Sequence, residues 1–278
     1  MRFDSSAILL AALLLLRASI DASAAAAATP TEVPVQPRAH AHNDYEHPRP
    51  LLDALDQGFG SAEADIYLVE GELLVAHDRP QVKPERTLDA LYLKPLQARV
   101  RANGGRVHRG GPSFSLLVDF KGDADATYAQ LRRALQPYRD MLTIFTPNGT
   151  HTNAVTVILS GNRPWKTMEA ETERLAGLDG RLPDLETNPS PHLVPWVSDN
   201  WKNYFQWNGQ GEFPADQAAK LRDLVSKAHA QGRKIRFWAA ADSPEVWKVH
   251  SDAGVDLINT DHLPELAAFL ESQADSRR

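Results

Sequence analysis

Short apolar runs alternate along this chain with stretches in which apolar residues recur every three or four positions. The runs predict strands at residues 37–42, 61–69, 114–120, 142–146, 154–160, 193–198, 234–240 and 255–260. The helical spacing predicts helices at 51–57, 126–138, 215–231 and 244–253, with a closing helix at 263–272. Pro214 and Gly232 bracket the third of these as start and stop signals. Strands alternating with helices imply a parallel sheet. Eight strand candidates within residues 38–272 favour a closed (β/α)8 TIM barrel, a fold of roughly 250 residues, over an open doubly wound sheet. No Gly-x-Gly-x-x-Gly follows an early strand, which argues against dinucleotide binding. The stretch 142–160 reads partly as a hairpin around Pro147-Asn148-Gly149, so irregularity is expected there.

Polar residues interrupt several strands at matching places. Glu63 and Asp65 point to one face of their strand, with Ala62, Ala64 and Ile66 on the other. Two carboxylates side by side repel each other and are costly to desolvate. A hard divalent cation bound by oxygen removes that cost. His77 ends the next apolar run and adds a group that titrates near neutrality. His40 and His42 share a face of the first strand, and Asn43 begins the following loop. Asp119 and Lys121 share a face at the end of the third. In a barrel these strand ends meet at the C-terminal face. A metal-assisted hydrolase is the expectation.

The formal charge of −6 argues against generic attraction to nucleic acid or an anionic membrane. An acidic substrate therefore needs local positive charge or a metal. The chain has no cysteine, so disulfides and a lipoprotein attachment site are excluded. Arg2, an apolar run over residues 7–16 and a small-residue tract follow one another at the start. The run falls short of the roughly 20 residues of a spanning helix. The order reads as a signal peptide over 1–24, with Ala22-Ser23-Ala24 as a cleavage site. An Ala/Thr/Pro leader over 25–37 and a polar tail over 273–278 flank the barrel. The expectation is an exported protein, periplasmic or secreted, with no transmembrane segment in the mature chain.

The ordered segments HAHNDY, EADIYL, LLVAHD and LLVDFKG resemble the phospholipase-C-like phosphodiesterase superfamily. That group includes glycerophosphodiester phosphodiesterases, phosphatidylinositol-specific phospholipases C and sphingomyelinase-D-like enzymes. The similarity is greatest to its HNDY-containing branch. It is strong over residues 38–122 and weaker beyond, where Gly254-Val-Asp-Leu-Ile-Asn-Thr-Asp261 resembles the last strand. The resemblance implies a (β/α)8 barrel, a Ca2+ or Mg2+ ion and two catalytic histidines. Carried over by motif, Glu63, Asp65 and Asp119 are metal carboxylates, Asn43 a further ligand and His77 the second histidine. The first is His42 by the His-Asn-x-Tyr pattern, or His40 by a His-x-x-Asn pattern. The signature His-Arg-Gly followed by Pro-Glu-Asn-Thr is absent, and the third carboxylate is Asp rather than Glu.

The implied reaction is hydrolysis of a small-molecule or lipid-headgroup phosphodiester. The cation neutralises the phosphate, Lys121 binds a second phosphate oxygen, and the histidines exchange protons with nucleophile and leaving group. Arg163 is expected to orient a phosphate or headgroup. Trp238 is expected to face the site, and Trp196, Trp201, Tyr204, Phe205 and Trp207 to pack. The other seven histidines are expected at the surface. Two other readings stand: a zinc amidohydrolase-type barrel using the His40–His42 pair, and a barrel that binds a ligand without catalysis.

Overall fold

The computed structural model describes residues 33 to 275. The signal-peptide assignment, most of the leader and the last residues of the tail lie outside them. The strands are β1 (Gln36–Ala41), β2 (Phe59–Val69), β3 (Glu72–Val75), β4 (Phe114–Phe120), β5 (Ile144–Thr146), β6 (Gly149–His151), β7 (Val155–Gly161), β8 (Ala176–Gly180), β9 (Trp196–Asn200), β10 (Lys234–Trp238) and β11 (Ile258–Thr260). Eight of them run parallel in the order β11-β1-β2-β4-β7-β8-β9-β10. A parallel bridge from Arg236 to Leu257 joins β10 to the segment leading into β11 and nearly closes the ring. Chain order equals spatial order, the topology of a (β/α)8 barrel with irregularities.

The expected count of eight strands is right, but one member differs. Residues 142–146 form no barrel strand: Leu142 makes one parallel bridge to Val155, and Ile144–Thr146 pairs antiparallel with Gly149–His151, with Thr146 opposite Gly149 in the turn. The missing place is taken by Ala176-Gly-Leu-Asp-Gly180, which lacks an apolar run. Its glycine is required by packing, since a Cβ at Gly177 would lie 2.7 Å from Pro195 Cγ. β3 pairs antiparallel with the far end of β2 and carries the chain back toward the mouth.

Strand alternation sorts the side chains. Ala39, Ala41, Ala62, Ala64, Ile66, Leu116, Val118, Phe120, Val157 and Leu159 join the core shared with the helices. The other parity faces the barrel interior, where Leu117, Ile158, Trp196 and Leu257 gather with Phe145 in a small separate cluster. Two residues further along these same strands stand Asp119, Ser160, Ser198 and Asn259. The barrel is thus apolar below and polar toward its C-terminal mouth.

The helices cover the outside. Ala215–Ala230 buries Leu221, Val225 and Ala228, spaced at helical intervals. Trp201 stacks on Phe205 with centroids 4.0 Å apart and meets Phe237 edge-on at 5.5 Å. Two of the histidines expected at the surface are buried. His108 donates from Nε2 to Phe59 O at 2.8 Å, and His250 lies against Trp201 at 4.9 Å. Both lie where segments distant in sequence cover the imidazole. Among the described residues no helix is long and apolar enough to cross a membrane.

Candidate active site

His40 is fully buried, and both of its ring nitrogens are occupied. Nδ1 lies 2.8 Å from Ser61 Oγ; Nε2 lies 2.6 Å from Arg236 Nη1 and 3.3 Å from Glu63 Oε2. A guanidinium can only donate, so Nε2 accepts from Arg236 and Nδ1–H donates to Ser61. Burial and the Arg236 charge lower the His40 pKa to about 4, so the ring is neutral at pH 7. No nitrogen remains to meet a substrate or to share a zinc ion with His42. Arg236 also reaches Glu63 Oε2 at 3.1 Å. Burial opposes ionisation of Glu63, but the Arg236 charge outweighs it and holds the carboxyl well below the usual range. Sequence reasoning missed Arg236; its signal was an arginine at the inward parity of Lys234-Ile-Arg-Phe-Trp238.

His42 follows β1 and stands at the mouth, about one third exposed. Its Nδ1 lies 2.9 Å from Asp261 Oδ1, at the exit of β11. Asp261 is fixed in turn: its backbone N–H donates to Asp242 Oδ2 at 2.8 Å, an oxygen that also accepts from Thr260 Oγ1 at 3.0 Å. Trp247 Nε1 donates to the other Asp242 oxygen at 2.8 Å. Burial disfavours charge on His42, yet the Asp261 hydrogen bond, with the charges of Glu63 and Asp261, raises its pKa above the ordinary value. Asn43, in the left-handed region at φ 48°, places Nδ2 3.0 Å from His42 Nδ1.

The third group centres on Asp65, whose strand partner across the β2–β4 pair is Asp119. Asp65 Oδ2 is engaged by Tyr45 OH at 2.6 Å, Lys121 Nζ at 2.9 Å and His77 Nδ1 at 3.1 Å. Asp65 Oδ1 is buried with no hydrogen-bond partner. Lys121 Nζ also lies 3.4 Å from Asp119 Oδ2. Burial raises the Asp119 pKa to about 6; Lys121 opposes this, while Asp65 and Glu63 add to it. Burial and then Glu63 likewise raise Asp65, against Lys121. Gly161 of β7 makes room for Asp119, since a Cβ there would stand 2.6 Å from both carboxylate oxygens.

The loop after β1 is held by Asp44, which is buried. Its Oδ2 accepts from Leu51 N at 2.5 Å and from Tyr92 OH at 2.8 Å. Leu51 has φ 64°, a conformation that costs a non-glycine residue of order 1–3 kcal/mol. Burial pushes the Asp44 pKa up to about 7, partly offset by these hydrogen bonds. HNDY thus combines a histidine at the mouth, a loop anchor and the Tyr45 hydroxyl.

The donor set suits a hard divalent cation in kind. Glu63 Oε2 and Asp65 Oδ2 are committed to protein donors, and the orphaned Asp65 Oδ1 is the atom a cation would satisfy. Among the described residues, no three His, Asp or Glu side chains already form a ligand group. Glu63, Asp65 and Asp119 are the carboxylates available to close on an ion. Asn43 Oδ1 lies 2.7 Å from the Tyr45 hydroxyl oxygen.

Arg163 follows β7, and its Nη1 donates to Asp179 O. It lines a cavity of about 510 Å3 with Gly122, Asp123, Gly161, Asn162 and Trp165, next to Lys121 in sequence. Trp238 ends β10 half-buried, at the same parity as Arg236.

Known proteins resemble this chain in sequence and in fold. Residues 29–176 match the family described as AIM6-like phosphodiesterase domain, and residues 234–264 match the glycerophosphoryl diester phosphodiesterase family. The protein "Altered inheritance of mitochondria protein 6" of Lachancea thermotolerans is 33% identical over 84% of this chain and 66% of its own length. Its counterpart in Eremothecium gossypii is 30% identical over 86% of this chain and 70% of its own. The chain therefore spans about two thirds of the length of these curated relatives. A glycerophosphodiester phosphodiesterase from Parabacteroides distasonis has the same fold, with a TM-score of 0.53 and 15% identity over 85% of this chain and 98% of its own. Another from Agrobacterium tumefaciens gives 0.50 and 16%, over 84% and 99%.

These relatives correct one expectation. They are fungal proteins named for mitochondrial inheritance, which overturns the reading of a periplasmic or secreted protein. An apolar run between an arginine and small residues is a compositional signal, and composition alone did not fix the compartment.

Proposed function

Because the chain belongs to the AIM6-like phosphodiesterase family, we propose that it is a metal-dependent phosphoric diester hydrolase with His42 and His77 as its acid–base pair. One observation carries this reading. Each histidine has Nδ1 beside a carboxylate, Asp261 or Asp65, and the Glu63, Asp65 and Asp119 carboxylates belong to the same strand ends. A carboxylate accepts the Nδ1 proton, which leaves Nε2 of each ring for proton transfer.

A Ca2+ or Mg2+ ion held by Glu63, Asp65 and Asp119 would neutralise the phosphodiester and polarise it as a Lewis acid. Lys121, its ammonium favoured by Asp119 and Asp65 despite burial, supplies fixed positive charge for a phosphate oxygen. His42, its pKa raised by Asp261, accepts the proton of the attacking hydroxyl. His77 protonates the leaving alkoxide. Arg163 binds the headgroup or a further phosphate oxygen from the neighbouring cavity.

The test is a panel of phosphodiesters, including bis(p-nitrophenyl) phosphate, glycerophosphocholine and lysophosphatidylcholine. Each is assayed with Ca2+, with Mg2+ and with chelator. Turnover that needs a divalent cation and is lost on chelation is expected. Binding of a phosphodiester without turnover under every metal condition would instead identify a non-catalytic barrel.

A further inference from the structure

Tyr45 is nearly fully buried, and its hydroxyl meets side chains from three segments: Asn43 after β1, Asp65 on β2 and His77 after β3. The ring lies nearly parallel to the His77 imidazole, with an interplanar angle of 17° and centroids 6.4 Å apart. Backbone contacts hold the loop independently of the hydroxyl: Arg86 donates to Tyr45 O, and Asp44 pins Leu51 N. The phenol is therefore a fixed element against which a histidine and a carboxylate are set.

A phenol has one proton to donate and lone pairs to accept with. Its two candidate acceptors are Asn43 Oδ1 at 2.7 Å and Asp65 Oδ2 at 2.6 Å, and the carboxylate, paired with the Lys121 ammonium at 2.9 Å, makes the stronger hydrogen bond. The O–H therefore goes to Asp65. The phenol oxygen, 2.9 Å from His77 Nδ1, is left to accept, and Asp65 Oδ2 at 3.1 Å also only accepts. Both neighbours of Nδ1 call for a proton on that nitrogen. Nε2 then carries the lone pair.

We infer that Tyr45 is a positioning residue that fixes His77 in the Nδ1–H tautomer and commits Asp65 Oδ2 to the protein, leaving His77 Nε2 and Asp65 Oδ1 as the working atoms. This rests on the proposed role of His77 in proton transfer, but the tautomer is measurable without turnover. The inference also explains why a tyrosine closes HNDY: a phenylalanine fills the same space and lacks the one atom that touches Asn43, Asp65 and His77.

The test is Tyr45→Phe, which keeps the buried ring and removes one oxygen. In protein carrying 15N-labelled histidine at pH 8, His77 is assigned by its loss in His77→Gln. The wild type is expected to show Nδ1 protonated and Nε2 unprotonated. Tyr45→Phe is expected to shift the population toward the Nε2–H form, with a thermal midpoint close to wild type. On whichever phosphodiester the wild type turns over, kcat is expected to fall about 10- to 100-fold with KM within about twofold. An unchanged His77 spectrum in Tyr45→Phe overturns the inference, even if kcat falls. If the wild type turns over no phosphodiester, the spectra still decide it.

Discussion

Asp261 Oδ1 stands 2.9 Å from His42 Nδ1, across 219 positions of sequence. The contact exists because the chain closes on itself: β11 pairs with β1, placing Thr260 opposite Ala41. The last strand thereby delivers the carboxylate that orients the first strand's histidine.

Removing that carboxylate should impair chemistry more than binding. Asp261→Ala is expected to lower kcat about 100-fold, within the range for losing one positioned acid–base element. Asp242→Asn, one contact further from the ring, should have a smaller effect in the same direction. Steady-state kinetics on the responsive phosphodiester decide this, and wild-type kcat in Asp261→Ala would show that Asp261 does not orient His42 for proton transfer.

His42→Ala and His77→Ala are each expected to abolish turnover while still binding Ca2+ or Mg2+ in a calorimetric titration. Neither imidazole is needed for the carboxylates to hold an ion. Retained turnover in either variant rejects its assignment as a proton carrier.

Arg236 and His40 should register in stability. Arg236→Met leaves the buried Glu63 charge without its cation, at a cost of about 3–5 kcal/mol. Adding Glu63→Gln is expected to restore part of that loss, because the stranded charge is then gone. Urea denaturation of the two variants measures the difference; equal midpoints would show that the pair is not coupled.

Gly161→Ala tests the seat of Asp119. The residue sits at φ 67°, and the added methyl would lie 2.4 Å from Phe120 O and 2.6 Å from the Asp119 oxygens. Backbone strain alone costs about 1–2 kcal/mol. The expected result is weaker metal binding with reduced kcat, whereas unchanged affinity would show that Asp119 does not hold the ion.

Acid should expose the buried histidines. Burial, aided by Arg38, lowers the His250 pKa from 6.5 to about 3. Its folded-state value is depressed, so the stability that depends on a neutral ring is full above pH 6.5 and is lost as pH falls toward 3. The slope is at most about 1.4 kcal/mol per pH unit for one proton. Asp119 acts oppositely, its raised value making folding less favourable as pH rises between about 4 and 6. The comparison is therefore wild type against His250→Gln: the wild type's advantage should shrink as pH drops from 7 to 4. A constant difference would mean that His250 does not titrate on unfolding.

Much of the barrel was legible because strand parity is a local property. A two-residue period assigned Glu63 with Asp65, His40 with His42 and Asp119 with Lys121 to common faces. β8 was not legible, because Ala176–Gly180 owes its strand to neighbours on both sides rather than to an apolar run of its own. Residues 142–146 carried the apolar run without the position, and form a hairpin instead.

Alternation along the chain was enough to turn His40, Glu63, Asp65 and Asp119 to the barrel interior near strand ends, since it needs no tertiary information. The role of each depends on partners brought in by folding. His40 and His42 are equivalent by pattern, but Arg236, 196 positions away, occupies one, and Asp261, 219 positions away, orients the other. Those partners become neighbours only when β10 and β11 close the ring beside β1. Burial and Arg236 then set one imidazole at about 4, while Asp261 and Glu63 hold the other, at the mouth, above its ordinary value against the effect of its own burial.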